Sequence, residues 1–393
     1  MRVTALAGDV PAALASVLSA RGVEASRAEA LAAGGAPLAL LVEPLDDADQ
    51  AALVGVAARS GLDCHTGDGW AVLAGSLARL GGLARPGGDM LLPERLSQAL
   101  GRFLMDAQEA PALWRTARRA IGLERSCVVG ILNVTPDSFS DGGRHATPAA
   151  ALAGARAMRE AGADVIDVGG ESTRPGAARP DEAEELRRVV PVVRAVAEAT
   201  GLPVSVDTRR ARVAEAALAA GAEIVNDVSG LGHDPRMAEV VRAAGAGVVL
   251  MHMRGEPQTM DALARYADVA AEVAAELAAC RDRALEAGIA REAIVLDPGL
   301  GFAKAPEHNL ALLERLGTFT ALGHPVMVGP SRKRFLGTVT GRPVDQRDAA
   351  TAAACVAARL RGARLFRVHD VAAAREALAV ADAVLGAAGA GSR

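Results

Sequence analysis

From Cys127 onward the chain repeats one pattern. A short run rich in Val and Ile ends in Asn, Asp, Gly or His, an Ala-, Arg- and Glu-rich stretch with helical spacing follows, and Gly-Ala or Gly-Leu restarts the cycle. Continuous apolar runs bounded by turn residues read as strands buried on both faces, and the longer periodic stretches read as amphipathic helices. The strands predicted this way are 127–132, 164–168, 204–206, 223–225, 247–251, 294–296, 326–328 and 365–368. Helix-sized stretches separate most of them, among them 148–161, 181–200, 209–220 and 268–287. Apolar strands alternating with helices pair in parallel and are covered on both faces. Eight such strands predict the closed (β/α)8 TIM barrel. The open doubly wound sheet is the rival, but it usually has fewer strands and often a glycine fingerprint that is missing here.

The first 110 residues lack this repeat. Residues 37–43 predict a buried strand, 46–59 a helix, and 62–66 and 70–74 weaker strands. A Gly/Pro-rich break at 81–89 precedes a helix predicted over 93–107, with Pro93 at its first turn. The expected organisation is an α/β chain: a small N-terminal α/β module over 1–110, then a TIM barrel over 111–393. No motif in the module points to chemistry, so its expected role is packing on the barrel or assisting oligomerisation.

Composition narrows the functional classes. Aromatics are 2% of the chain and the net charge is −4, which argues against a stacking surface or a basic footprint for nucleic acid. Cys64, Cys127, Cys280 and Cys355 are scattered, without the C-x-x-C spacing of a zinc knuckle. There is no signal peptide pattern and no long uncharged apolar run, so the expectation is a cytoplasmic protein with neither membrane nor nucleic-acid partner.

A TIM barrel carries its chemistry at the carboxyl ends of its strands. Here those ends carry Asn133, Asp167, Asp207, Asn226 and Asp227, Met251 and His252, and Asp297; strand 7 leads into Ser331, Arg332 and Lys333, and strand 8 carries Arg367 and His369. Helix capping explains Asp, Asn and Ser singly. It does not explain Lys333, Arg367 and His369, because cations are disfavoured at helix N-termini. These cations follow strands 7 and 8, where barrels commonly hold phosphate. The set describes a ligand with a hydrogen-bonding head and an anionic tail. The loop after strand 1 contains Asn133 and Asp141, hard oxygen ligands suited to magnesium on a pyrophosphate. Phe139, flanked by serines in that loop, suits a lid.

These residues closely resemble the dihydropteroate synthase family. The first signature is Gly130-Ile131-Leu132-Asn133-Val134-Thr135-Pro136-Asp137-Ser138-Phe139-Ser140-Asp141-Gly142-Gly143, and the second is Asp167-Val168-Gly169-Gly170-Glu171-Ser172-Thr173-Arg174-Pro175-Gly176. Further matches are Ser205-Val206-Asp207-Thr208, Asn226-Asp227, Met251-His252-Met253, Asp297-Pro298-Gly299, Ser331-Arg332-Lys333 and Arg367-Val368-His369-Asp370, all in family order. The resemblance implies condensation of a hydroxymethyl-dihydropterin pyrophosphate with 4-aminobenzoate, with magnesium as cofactor and a homodimer as the assembly. It implies pterin binding by Asp207, Asn226, Asp297 and Lys333, with Met251 near the ring and Asp297 on the amino-pyrimidine edge. Asn133, Arg367 and His369 resemble the pyrophosphate site, Thr173 and Arg174 reach the same ligand, and Asp141 joins Asn133 on the magnesium. Phe139, Pro175, Phe302 and Lys333 resemble the 4-aminobenzoate pocket. Asp207, Lys333, Asp141 and Arg174 are the expected catalytic set. Two departures touch that pocket: Leu300 stands where many members have Phe, and Arg334 where some have Ser. The alternative is a pterin-dependent methyltransferase or pterin-binding module on the same barrel. It needs no pyrophosphate site, so the first loop and the Arg367/His369 pair favour the synthase.

Overall fold

The structure, a computed structural model, describes residues 2–6, 38–75, 96, 111–134, 148–170, 180–256 and 259–390. The chain divides into two compact units. One comprises 1–110 together with 266–275 and 314–324; the other comprises 111–265, 276–313 and 325–393.

In the first unit, strands β1 (Arg2–Leu6), β2 (Leu38–Glu43), β3 (Asp63–Gly67) and β4 (Trp70–Gly75) form an antiparallel sheet in the order β1-β2-β4-β3. Helix α1 (Asp47–Ser60) begins where the Asp46 carboxylate accepts the Asp49 N–H at 2.8 Å and ends at Gly61 in the left-handed conformation. Its Leu53, Val56 and Ala57 bury against Leu40, Val42, Ala71 and Leu73, and Ala321 packs on the same cluster. The strands and helix expected over 37–74 are present within about two residues. Strand β1 was not expected. The break at 81–89 and most of the helix predicted over 93–107 lie outside the described residues; Leu96 is helical and buried.

In the second unit, a hairpin of β5 (Leu113–Arg115) and β6 (Ala120–Gly122) precedes the barrel strands β7 (Cys127–Asn133), β8 (Val165–Gly169), β9 (Val204–Asp207), β10 (Ile224–Asp227), β11 (Gly247–Met251), β12 (Ile294–Asp297), β13 (Met327–Val328) and β14 (Leu365–Val368). The eight strands β7 to β14 pair in parallel around the barrel, and β14 returns to β7. A parallel bridge between Leu296 and Val326 joins β12 to β13 and closes the ring. The α/β TIM-barrel expectation therefore holds, strand for strand.

The helices are α2 (Pro148–Glu160), α3 (Glu182–Thr200), α4 (Ala211–Ala220), α5 (Met237–Ala244), α6 (Val269–Glu286), α7 (Pro306–Glu314), α8 (Gly317–Thr320), α9 (Arg334–Thr340), α10 (Asp348–Leu360) and α11 (Val371–Ala390). Val129, Val165, Ile224, Val249, Val295, Met327 and Leu365 fill the barrel interior as one buried cluster with Trp114 of the hairpin. The Trp114 indole N–H donates to the Ala293 carbonyl at 2.9 Å, just before β12, so the hairpin seals the end opposite the strands' carboxyl ends. That leaves the carboxyl ends for chemistry.

Candidate active site

Strand register gathers the polar ends. Asn133 stands opposite Gly169, Gly169 opposite Asp207, and Asp207 opposite Asn226, while Met251 stands opposite Asp297. Because side chains alternate along a strand, this pairing decides which residues project into one space. A Cβ placed on Gly169 would lie 3.4 Å from Asn133 Oδ1 and 3.6 Å from Asp207 Oδ2. Glycine there leaves room between the amide and the carboxylate.

Arg367 ties the centre together. Its Nε donates to Asp167 Oδ2 at 2.6 Å and its Nη2 to Asp207 Oδ2 at 2.7 Å. Asp167 Oδ2 also accepts from Asn226 Nδ2 at 3.0 Å. Burial works against the guanidinium charge, but the Asp167 and Asp207 carboxylates more than offset it and hold the group above its usual range. Asp167 is fully buried, and its Oδ1 has no hydrogen-bond partner among the described residues. The sequence placed Asp167 at a strand end without a role; its position between Asn226 and Arg367 is evident only from register.

Asp297 is buried at the end of β12. Its Oδ1 accepts the Gly299 N–H at 2.7 Å. Burial raises its pKa, against the pull of Lys333 and that backbone donor. Lys333 is shifted the other way, to about 8, because burial outweighs the attraction of Asp297. The ammonium donates to the Leu300 carbonyl and stands 4.6 Å from the centre of the Phe302 ring. Two glycines make this possible. Gly299 has φ +67°, and a Cβ there would meet the His252 carbonyl at 2.0 Å; Gly301 has φ +81°, and a Cβ there would lie 3.0 Å from Lys333 Cδ. Met251 is buried beside the same turn, its Cγ 3.3 Å from where a Gly299 Cβ would be.

His369 is held from β13 to β14. Ser331 Oγ lies 2.9 Å from His369 Nδ1 and accepts the His369 backbone N–H at 3.2 Å. A hydroxyl that accepts the amide can donate its own hydrogen to Nδ1, which leaves Nε2 as the protonated nitrogen in the neutral ring. Asp370 caps α11 through the Ala373 N–H at 3.0 Å, as a residue at that position should. Asp227 faces a turn instead of the site: its carboxylate accepts the Ser229 N–H and hydroxyl and the Leu231 N–H. Leu300 is fully buried, and Arg334 is exposed with only a 3.7 Å approach to Asp261.

Of the residues singled out from sequence, Asn133, Asp207, Asn226, Met251, Asp297, Phe302, Lys333, Arg367 and His369 fall at the carboxyl ends of the barrel strands or in the loops that follow them. Phe139, Asp141, Thr173, Arg174 and Pro175 lie outside the described residues. Among the described residues no group of three or more His, Cys, Asp and Glu forms a metal cage. Of the two residues expected on magnesium, only Asn133 is described: half-buried at the end of β7, it offers an amide oxygen, a hard donor of the kind magnesium takes.

Residues 129–369 match the model of the family described as pterin binding enzyme. A dihydropteroate synthase of Mycobacterium leprae is 51% identical over 266 residues, covering 66% of this chain and 93% of the relative. Among solved structures, the Yersinia pestis dihydropteroate synthase with a sulfonamide drug complex superposes with a TM-score of 0.68 at 42% identity, over 70% of this chain and 99% of that one. The Burkholderia cenocepacia dihydropteroate synthase complexed with 7,8-dihydropteroate gives a TM-score of 0.64 at 42% identity, over 71% of this chain and 98% of that one. With the pterin-binding model over its barrel and such relatives covered nearly end to end, the chain belongs to the dihydropteroate synthase family.

Proposed function

We infer that the chain is a transferase of folate biosynthesis that condenses 6-hydroxymethyl-7,8-dihydropterin pyrophosphate with 4-aminobenzoate to give 7,8-dihydropteroate and pyrophosphate. The observation that carries this reading is the split of the site into a buried Asp297–Lys333 end and an Asp207–Arg367–His369 end on the same barrel rim. The first suits a heterocycle rich in hydrogen-bond donors, and the second suits an anion. A pterin-dependent methyltransferase has no use for the second.

The residues divide the work as follows. Asp297 accepts the amino-pyrimidine N–H groups, Asn226 is oriented by Asp167 toward the same ring, and Met251 packs beside it. Arg367 and His369 donate to the pyrophosphate and stabilise it as the carbon–oxygen bond breaks. The electron-poor pterin methylene then spreads positive charge into the ring, and the Asp207 carboxylate stabilises it. The arylamine is unprotonated at neutral pH, so its nitrogen attacks without a strong base. Phe302 and Lys333 line the 4-aminobenzoate pocket. Phe139, Pro175, Thr173, Arg174 and Asp141 complete this reading from the two loops. Asn133 and Asp141 would hold magnesium, which neutralises pyrophosphate charge when bound. Incubation with both substrates and magnesium should yield dihydropteroate, and no product would reject the reading. Asn133→Ala should cut turnover while leaving the melting temperature nearly unchanged, because a half-buried amide at a strand end carries little packing. A large melting shift with normal turnover would contradict the magnesium role.

A homodimer is part of the proposal. Leu360 of α10 and Val380 and Val384 of α11 are exposed, large apolar side chains on neighbouring helices. A cytoplasmic location fits the free cysteines, and no described helix is long and apolar enough to cross a membrane. The module over 1–110 is read as structural. A chain starting at Pro111 should retain synthesis per folded molecule but lose solubility, because Ala321 would lose the apolar cluster it packs against. Turnover per soluble molecule, truncated against full-length, is the measurement. Truncated protein that folds and binds pterin but makes no product would place the module in the active site.

A further inference from the structure

A chain of buried polar groups runs behind the site and is not used by the chemistry above. Lys304 and His252 are each only 2% exposed. Lys304 Nζ lies 2.9 Å from His252 Nδ1 and donates to the Phe302 carbonyl at 2.8 Å. The other ring nitrogen of His252, Nε2, lies 2.9 Å from Glu276 Oε2 on α6, and Arg254 closes the series by donating to the same carboxylate. The directions are consistent. A carboxylate at Nε2 takes a hydrogen from it, so Nδ1 is the acceptor and Lys304 the donor. Burial, with Lys304 adding to it, pushes His252 down to about 4, so the ring is neutral and Nδ1 keeps its lone pair. Burying a lysine is costly unless its hydrogens are placed, and here two of them are placed on the loop that follows β12 and on the end of β11.

That loop is otherwise under strain. Ala303 adopts φ +51°, a left-handed conformation that a residue with a Cβ takes at a cost, between Phe302 and Lys304. Asn309 braces the same turn by accepting the Gly301 N–H at 2.6 Å and donating to the Ala305 carbonyl at 2.7 Å. The Lys304 contact fixes the Phe302 carbonyl, and the Phe302 N–H donates to the Gly299 carbonyl at 3.1 Å, so both peptides that orient the Phe302 ring beneath the Lys333 ammonium are tethered.

We propose that Lys304, held by the buried His252–Glu276–Arg254 series, is the positioning residue for the Phe302–Lys333 platform and so sets affinity for the arylamine carboxylate substrate. The inference rests on the reading of Phe302 as part of the 4-aminobenzoate pocket. Displacement of a pocket wall by about 1 Å can cost up to about 100-fold.

Lys304→Met keeps the stem and removes the amine. Its KM for 4-aminobenzoate should rise roughly tenfold, with kcat within about threefold and the Kd for pterin pyrophosphate within about twofold of the native protein. His252→Leu removes the anchor while keeping Lys304, and should raise the same KM. If Lys304→Met does not fold, as judged by thermal melting, His252→Leu decides alone. Phe302→Leu separates the inference from the reading beneath it. If Phe302→Leu leaves the KM for 4-aminobenzoate unchanged, the pocket assignment fails and takes the inference with it. If Phe302→Leu raises that KM but the folded Lys304 or His252 variants keep the native value, Lys304 is a fold residue only and the inference is overturned. Equal losses in pterin binding and in 4-aminobenzoate KM would also overturn it, because they mark general damage to the barrel rim.

Discussion

Asp297→Ala should lose pterin pyrophosphate binding while the barrel stays folded. The carboxylate is buried at the end of β12, with one oxygen on the Gly299 N–H and with Lys333, Arg367 and Lys304 as opposing charges. Burial pushes its pKa upward, so the fold itself gains little from the charge. A methyl in its place leaves two pterin N–H donors facing a dry wall. Each unmet buried donor costs about 1–3 kcal/mol. Two of them predict a weakening of at least about 30-fold in Kd. Asp297→Asn should fall between, because an amide offers one acceptor and one unwanted donor. Titration calorimetry with the pterin pyrophosphate checks both. Native affinity in Asp297→Ala would end the assignment of this residue to the pterin.

The second large effect is expected at Arg367, where stability and activity fall together. Arg367→Met removes the countercharge of Asp167, which is fully buried, and of Asp207. Removing one partner from a buried ion pair costs about 3–5 kcal/mol, because the remaining charge has no water to turn to. For a unit of this size that corresponds to a melting temperature lower by roughly 6–20 °C. Turnover should fall at least about 100-fold with the loss of a donor to the departing pyrophosphate. Arg367→Lys restores charge but not the fork that spans Asp167 and Asp207, so it should recover part of the melting temperature and little turnover. A variant that melts like the native protein would mean that the two carboxylates are not held by Arg367.

Much of this was legible in the sequence because a parallel barrel writes itself in a simple code. Continuous apolar strands such as Cys127–Asn133 and Gly247–Met251 have no polar face to obscure them, and their last residues stand at the carboxyl ends, where a barrel carries its chemistry. What the sequence hid was lateral. Asp167 lies 200 residues from Arg367 along the chain, yet the two are in contact, and only strand register brings them together. Lys304 and His252 carry no motif that marks them as partners, because a buried Lys–His contact depends on the path of two loops. The hairpin of β5 and β6 was missed for another reason: strands of three residues each are too short to show a period, and arginines surround Trp114 and Ile121. Strand β1 is five residues long and stands apart from the sheet's other strands in sequence, which gave alternation too little length to work on.

That hairpin has a practical consequence. The chain contains two tryptophans. Trp114 is 1% exposed inside the barrel unit, and Trp70 is 7% exposed on β4 of the other unit. Each unit thus carries its own buried indole, and intrinsic fluorescence reads both at once. With Trp114→Phe the emission comes from Trp70 alone, and with Trp70→Phe from Trp114 alone. A denaturant titration of the two single-indole proteins then resolves whether the units lose their structure in one transition or in two, without any label and without dividing the chain.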